Sequence, residues 1–286
     1  MNAHTLTDRN TLKKTALAIR RNIIRAITAN RGGHIGGSLD LADMLAVVYT
    51  DFMRINPQNP RWEKRDLMIF SKGHAGPALY AALAEKGFFP KERLDNLNNP
   101  NSLLPGHCDR KIPGVDATTG SLGQGLSLAC GAALGAKISD SGQNVFCVTG
   151  DGESAEGQIW EAAQFAAHFH LDNLIGFLDW NKKQIDGTND EVLSLGDVAE
   201  KYRAFGWNVV LVKGNDVTSI QKAVSYALNN PNGKPSMIIL DTVKGEGAEC
   251  IARLSNNHCI GFPEELQRQV QQELDEKARQ LDKEGK

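Results

Sequence analysis

Asp151 and Asn181, about thirty residues apart, are the two side chains of this sequence best placed to hold a hard cation. Each follows a short apolar run. Val145-Phe146-Cys147-Val148 leads into Gly150-Asp151-Gly152, and the run 174–178 leads into Asp179-Trp180-Asn181. Apolar runs of that length, closed by turn residues, predict buried strands. Mg²⁺ wants six oxygens in a tight octahedron and usually takes only one or two protein side chains, with phosphate oxygens completing the shell. Gly150 and Gly152 let the backbone come close to such a phosphate, and a helix start just beyond them favours the anion. A lone Gly-Asp-Gly is also a common turn, and it is the second strand ending in Asn181 that argues for a site. Four histidines form a second group: His34, His74, His107 and His258 lie in glycine-bearing or irregular segments. Imidazole exchanges protons near neutral pH, although each of the four can equally be a hydrogen-bonded structural residue. Zinc is a rival use, but the gaps are tens of residues and there is no close ligand pair.

The elements around these residues must bring them together. Between the two strands, Ile159, Ala162, Ala163 and Ala166 recur at helical spacing and predict a helix over 155–170. Strand, helix and strand predict a right-handed crossover between parallel strands. That places Asp151 and Asn181 at one carboxyl edge, where ligands of open α/β sheets bind. Upstream, Leu12, Ala16, Ile19, Ile23 and Ile27 predict an amphipathic helix over 11–30. A flexible glycine loop over 31–37 follows, then Ser38 or Asp40 capping a helix over 41–52. A strand is expected at 66–70, a helix at 78–86 with Pro77 in its first turn, and another helix at 90–98. The glycine-rich turn 118–125 opens a small-residue helix to about residue 138, a composition that predicts close packing on another backbone, in the core or at a partner's surface. Helices at 198–205, 217–229 and 263–281 and strands at 207–212 and 237–243 complete the pattern. Residues 1–9 are expected as a disordered lead. The alternation predicts one α/β domain over 1–286, a parallel sheet with helices on both faces.

Bulk composition narrows the function classes. A chain of 286 residues with 41% hydrophobic residues can fill a sizeable core, and 32 basic against 34 acidic residues leave a formal charge of −2. No basic run points to nucleic acid, and no apolar run reaches membrane-spanning length. Five cysteines without a CxxC pair predict reduced thiols and a cytoplasmic setting, with Cys130 and Cys147 in the core.

Gly150-Asp151-Gly152 followed by Asn181 resembles the thiamine diphosphate signature. The resemblance implies thiamine diphosphate held through Mg²⁺, or another divalent cation such as Ca²⁺ or Mn²⁺. Asp151, Asn181 and the backbone carbonyl of Lys183 would be the metal ligands, with Gly152 against the diphosphate. Six segments, SKGHAGPALYAAL, PGH, TTGSLGQG, GDGESAEG, WNKKQIDG and VKGEG, stand in the order and spacing of transketolases, within a resemblance that covers about residues 11 to 263. This resemblance implies transfer of a two-carbon ketol unit from a ketose phosphate to an aldose acceptor. By it, His34 and His107 face substrate oxygens, His74 lies near the diphosphate and the reacting centre, and His258 joins the donor pocket. Gly120, Ser121 and Leu122 would contact the aminopyrimidine or thiazolium, and Gly150 and Glu153 would join the cofactor site. Gln184 and Lys244 match positions near the thiazolium and diphosphate. These two positions and Lys72 match the animal-type branch, other members carrying asparagine at the Lys72 position, though a solvated surface lysine is the ordinary role of Lys72. Glu156 would belong to an acidic proton relay reaching the second site of a dimer; its ordinary role is a charge at a helix N-terminus.

Two departures from the family are visible. Ile35 follows His34 where many members carry proline, and the stretch 249–257 lacks a Thr-His pair found in one branch, so donor recognition is expected to differ. Transketolases also carry a further domain that binds the aminopyrimidine and supplies an activating glutamate, and the residues after Lys244 leave no room for it. The expectation is therefore an amino-terminal subunit, active with a separate carboxy-terminal subunit in an α₂β₂ assembly on sugar phosphates. Two other readings remain: a deoxyxylulose phosphate synthase-like or 2-oxo acid decarboxylating subunit, and a non-catalytic assembly module.

Overall fold

A computed structural model describes residues 5–284. The first helix, α1 (Arg9–Ala29), is capped by Asp8, whose carboxylate accepts from the backbone N–H of Asn10 and Thr11. The Thr7 hydroxyl donates to Asp51 at 2.5 Å. The stretch expected as a disordered lead thus carries structure from Thr7 onward, and residues 1–4 lie outside the described residues.

The glycine run after α1 is not the flexible loop expected. Gly32–Gly33 forms a short strand, β1, and Gly36–Leu39 a helical turn, α2. Close approach is what these glycines provide: a Cβ on Gly32 would stand 2.5 Å from the Ile260 carbonyl oxygen, and one on Gly36 2.3 Å from that of Asn257. Neither Ser38 nor Asp40 caps the next helix, α3 (Ala42–Val47), which runs on through a π turn at Val48–Phe52. The Ser38 hydroxyl instead donates back to the His34 carbonyl, and Asp40 turns inward.

Then come β2 (Leu67–Phe70), α4 (Gly76–Glu85) with its proline in the first turn, α5 (Gln124–Ile138), β3 (Val145–Gly150), α6 (Gly157–His168) and β4 (Leu174–Trp180). The helix expected at 90–98 is a 3₁₀ segment, Lys91–Asn96. The remaining elements are α7 (Asn189–Val192), α8 (Val198–Ala204), β5 (Asn208–Lys213), α9 (Val217–Asn229), β6 (Ser236–Asp241), α10 (Glu249–Ala252), β7 (Ile260–Gly261) and α11 (Glu264–Glu284).

Five strands form one parallel sheet in the order β2-β3-β4-β6-β5, and β1 pairs antiparallel with β7. Alternation along each strand sends side chains to opposite faces. Phe146, Val148, Ile175, Phe177, Ile238 and Leu240 pack with α1, α3, α4 and α9. Val145, Cys147, Leu174, Leu178, Met237 and Ile239 pack with α5, α6 and α8. Covered on both faces, the strands read as the near-continuous apolar runs seen in the sequence. Cys130 and Cys147 are buried as expected, and the five cysteines are free. On α5, Leu126, Ala129, Cys130 and Ala133 face the core, while Gly131 and Gly135 have nothing near a built Cβ. No helix among the described residues is long and apolar enough to cross a membrane.

Candidate active site

Four neighbouring parallel strands deliver polar groups to one edge. Gly150 pairs with Asp179 in the β3–β4 register, so Asp151 and Asn181 leave adjacent strands on the same side. Lys72 and His74 follow β2, and Lys244 follows β6. These residues line a cavity of about 330 Å³ together with His34, His107, His258, Gly120, Leu122, Gly152, Lys183 and Gln184.

Asp151 is 4% exposed and its oxygens are aimed by the backbone around it. Oδ1 accepts from Gly152 N–H at 2.7 Å, and Oδ2 from Lys182 N–H at 2.5 Å and from the Asn189 amide at 3.1 Å. Lys182 holds φ at +65°, a strained conformation for a lysine that folds this turn back onto Asp151. Asn181 donates through Nδ2 to Asp40 at 3.0 Å and to Asp179 at 3.1 Å, and its Oδ1 accepts from Lys183 N–H at 3.0 Å. The Lys183 carbonyl accepts from the Lys244 ammonium at 3.1 Å.

A buried charge network lies beneath these groups. Lys72 is no solvated surface lysine: it is 2% exposed and donates to Asp179 at 2.5 Å and to the Gly37 carbonyl at 3.1 Å. Burial works against its ammonium, but Asp179 and Asp40 outweigh it and push the pKa up. Burial and then Asp179 push the carboxyls of Asp40 and Asp151 up. Burial and the nearby Lys72 hold Lys244 below the usual lysine range. Asp179 also accepts from the Thr242 hydroxyl at 2.5 Å.

The four histidines gather across the cavity. Ring centroids of His34 lie 5.3, 5.6 and 5.2 Å from those of His74, His107 and His258, and His74 and His258 are 4.9 Å apart. Burial, then Lys72 and the other imidazoles, push His74 far below the usual histidine range. Burial and Lys244 bring His258 down to about 3, and burial with His107 lowers His34. These three rings are therefore neutral at neutral pH, each with one N–H to donate and one nitrogen to accept. Among the described residues no three His, Cys, Asp or Glu side chains are placed to hold a metal ion.

Other expected residues fall differently. Glu153 lines the cavity, but its carboxylate is taken by the protein: it accepts from the Ser71 hydroxyl, from Gly123 N–H at 2.8 Å and from Gly150 N–H at 2.9 Å. It ties three loops together rather than presenting a free oxygen. Glu156 is the N-cap residue of α6. Gly-Asp-Gly runs into a 3₁₀ turn, Gly152–Ala155, so Glu156 sits exposed at the start of α6, outside the cavity lining. Ser121 is exposed and also outside the lining, although Gly120 and Leu122 belong to it. Sequence reasoning missed Asp40, Asp179, Asn189 and Thr242. The available signal was an aspartate inside an apolar context at both Leu39-Asp40-Leu41 and Leu178-Asp179-Trp180.

The chemistry of the lining suits a divalent cation and a diphosphate. Asp151, Asn181 and the Lys183 carbonyl offer only oxygen, the donor that hard cations take. Gln184 Nε2 is buried without a partner at this cavity, a donor that an anionic oxygen would satisfy. Gly152 leaves room at the same place, since a Cβ there would stand 3.1 Å from Gln184 Cγ.

Residues 11–279 match the family described as transketolase, thiamine diphosphate binding domain. The chain is 47% identical over 265 residues to a 6-deoxy-6-sulfo-D-fructose transketolase subunit, SqwG, of a Clostridium species, covering 92% of this chain and 96% of that protein. It is 36% identical to an apulose-4-phosphate transketolase subunit of Phocaeicola vulgatus, covering 93% and 94%. The transketolase structure from Campylobacter jejuni superposes with a TM-score of 0.88 at 30% identity over 94% of this chain. Against that enzyme the chain spans 43% of the length.

Proposed function

From the premise that this chain belongs to the transketolase family, as its thiamine diphosphate-binding domain, we propose that it is the amino-terminal subunit of a two-polypeptide transketolase. It would move a two-carbon ketol unit from a ketose to an aldose. Relatives are named for a sulfo-fructose and for apulose 4-phosphate, so the substrate class we infer is a sugar with a terminal phosphate or sulfonate. The observation that carries the reading is the delivery of Asp151 and Asn181, by adjacent parallel strands, to one cavity with His34, His74, His107 and His258.

In this reading Asp151, Asn181 and the Lys183 carbonyl hold Mg²⁺ or a similar divalent cation. Gly150, Gly152 and Gln184 face the diphosphate, with Lys72 and Lys244 balancing its charge. The chemistry that thiamine diphosphate supplies when bound is a nucleophilic carbon for the ketose carbonyl. Neutral His34, His74 and His258, with His107, bind the substrate hydroxyl and carbonyl oxygens and pass protons there. Gly120 and Leu122 give the ring system a bare backbone and an apolar wall. A carboxy-terminal subunit would supply the missing pyrimidine side and its glutamate, in an α₂β₂ assembly. The open face of α5, with Gly131 and Gly135, is a contact surface it could use. Ketol transfer should be absent with this chain alone and appear on adding the partner. Asp151→Ala should abolish Mg²⁺-dependent thiamine diphosphate binding in calorimetry, because it removes the one charged ligand. Unchanged binding would defeat the assignment.

A further inference from the structure

The side-chain amide of Asn181 can point either way in principle, and only one way presents an oxygen to the cavity. Both of its N–H bonds are taken from behind by carboxylates: Asp40 Oδ2 at 3.0 Å and Asp179 Oδ2 at 3.1 Å. Turning the amide over would set its carbonyl oxygen against two carboxyl oxygens. Asp179 is anchored independently by Lys72 and Thr242. Asp40 is different. It is fully buried at the end of α2, its side chain caps no helix, and it meets donors from distant segments as well as the carboxyl of Asp179. Its other oxygen accepts from Gly245 N–H at 2.7 Å and Glu246 N–H at 3.3 Å, in the loop that carries Lys244. A buried carboxyl is costly, and the charge of Lys72 together with the Gly245 N–H offsets part of that cost.

We propose that Asp40 is a positioning residue for the divalent-cation site: it locks the Asn181 amide so that Oδ1 faces the cavity. The inference rests on the cation-binding reading above. Groups that orient a metal ligand typically contribute about 10–100-fold to metal affinity. Asp40 lies 141 residues from Asn181 in sequence, so this link is made by the fold alone.

The test is calorimetric titration of Mg²⁺ and Mn²⁺ into the full chain with thiamine diphosphate present. Wild type, D40N, D40S, N181A and D40N/N181A are compared, with thermal stability measured in EDTA. D40N should weaken cation binding about 10–100-fold, and should add little further loss in the N181A background, because Asp40 acts through Asn181. Equal weakening with and without Asn181, or wild-type affinity in D40N, overturns the proposal while leaving the site reading intact. No cation binding by the wild type overturns both. Loss of fold in both D40N and D40S without any cation overturns the proposal too, since a residue the apo fold cannot spare is holding the fold and not a ligand.

Discussion

Lys72→Met would remove the cation from a pair that is almost wholly dry. Lys72 is 2% exposed and Asp179 0%, and without the ammonium Asp179 keeps its Thr242 and Asn181 donors but loses its counter-charge. Asp40 and Asp151 lie close enough to feel the same loss. Removing one partner of a buried pair costs about 3–5 kcal/mol, because the other charge stays buried and uncompensated. An unfolding entropy of about 2.1 cal/mol/K per residue gives about 0.6 kcal/mol/K for 286 residues. The expected fall in melting temperature is therefore about 5–8 °C. Scanning calorimetry in EDTA measures it without any contribution from a bound cation. Lys72→Met combined with Asp179→Asn removes both charges and should recover most of the loss. A fall below about 2 °C for the single variant, or a double variant no more stable than the single, would refute the charge-balance argument.

Gly73→Ala places a Cβ 2.7 Å from the carbonyl carbon and oxygen of Thr119 and 2.8 Å from Gly120 N. Backbone cannot step aside there, so the variant should lose about 1–3 kcal/mol, or about 2–5 °C, and shift the segments carrying His74 and Gly120; an unchanged melting temperature would show that the loops have slack. Stability should fall as pH drops from about 6.5. The unfolded chain takes up protons there that the native His74 and His258 do not, His258 titrating only near about 3. His258→Gln should flatten that slope in denaturant midpoints taken across the range, and equal slopes would remove His258 as a cause. His107 is exposed and lines the cavity, so His107→Ala should lower turnover with the partner present while leaving the melting temperature nearly unchanged. An unfolded variant would make it a structural residue.

Much of this molecule was legible in one dimension. Apolar runs of strand length set β3 and β4, and the turn residues closing them set where Asp151 and Asn181 emerge. Parallel pairing across a helix then requires one shared edge, and the β3–β4 register bears that out. Helix starts were less legible: Gly-Asp-Gly and Ser38–Asp40 both looked like helix openings, and in both places long-range contacts won. Asp40 bonds the 245–246 backbone instead of a cap, and Glu153, inside a 3₁₀ turn, accepts from Gly150, Ser71 and Gly123. The buried network of Lys72, Asp179, Asp40 and Asn181 was decided by tertiary structure alone. Local pattern reports which face of a strand or helix is apolar. Which polar groups from segments up to 141 residues apart lose their water together, and must then satisfy one another, depends on how the sheet edge brings four loops into one place.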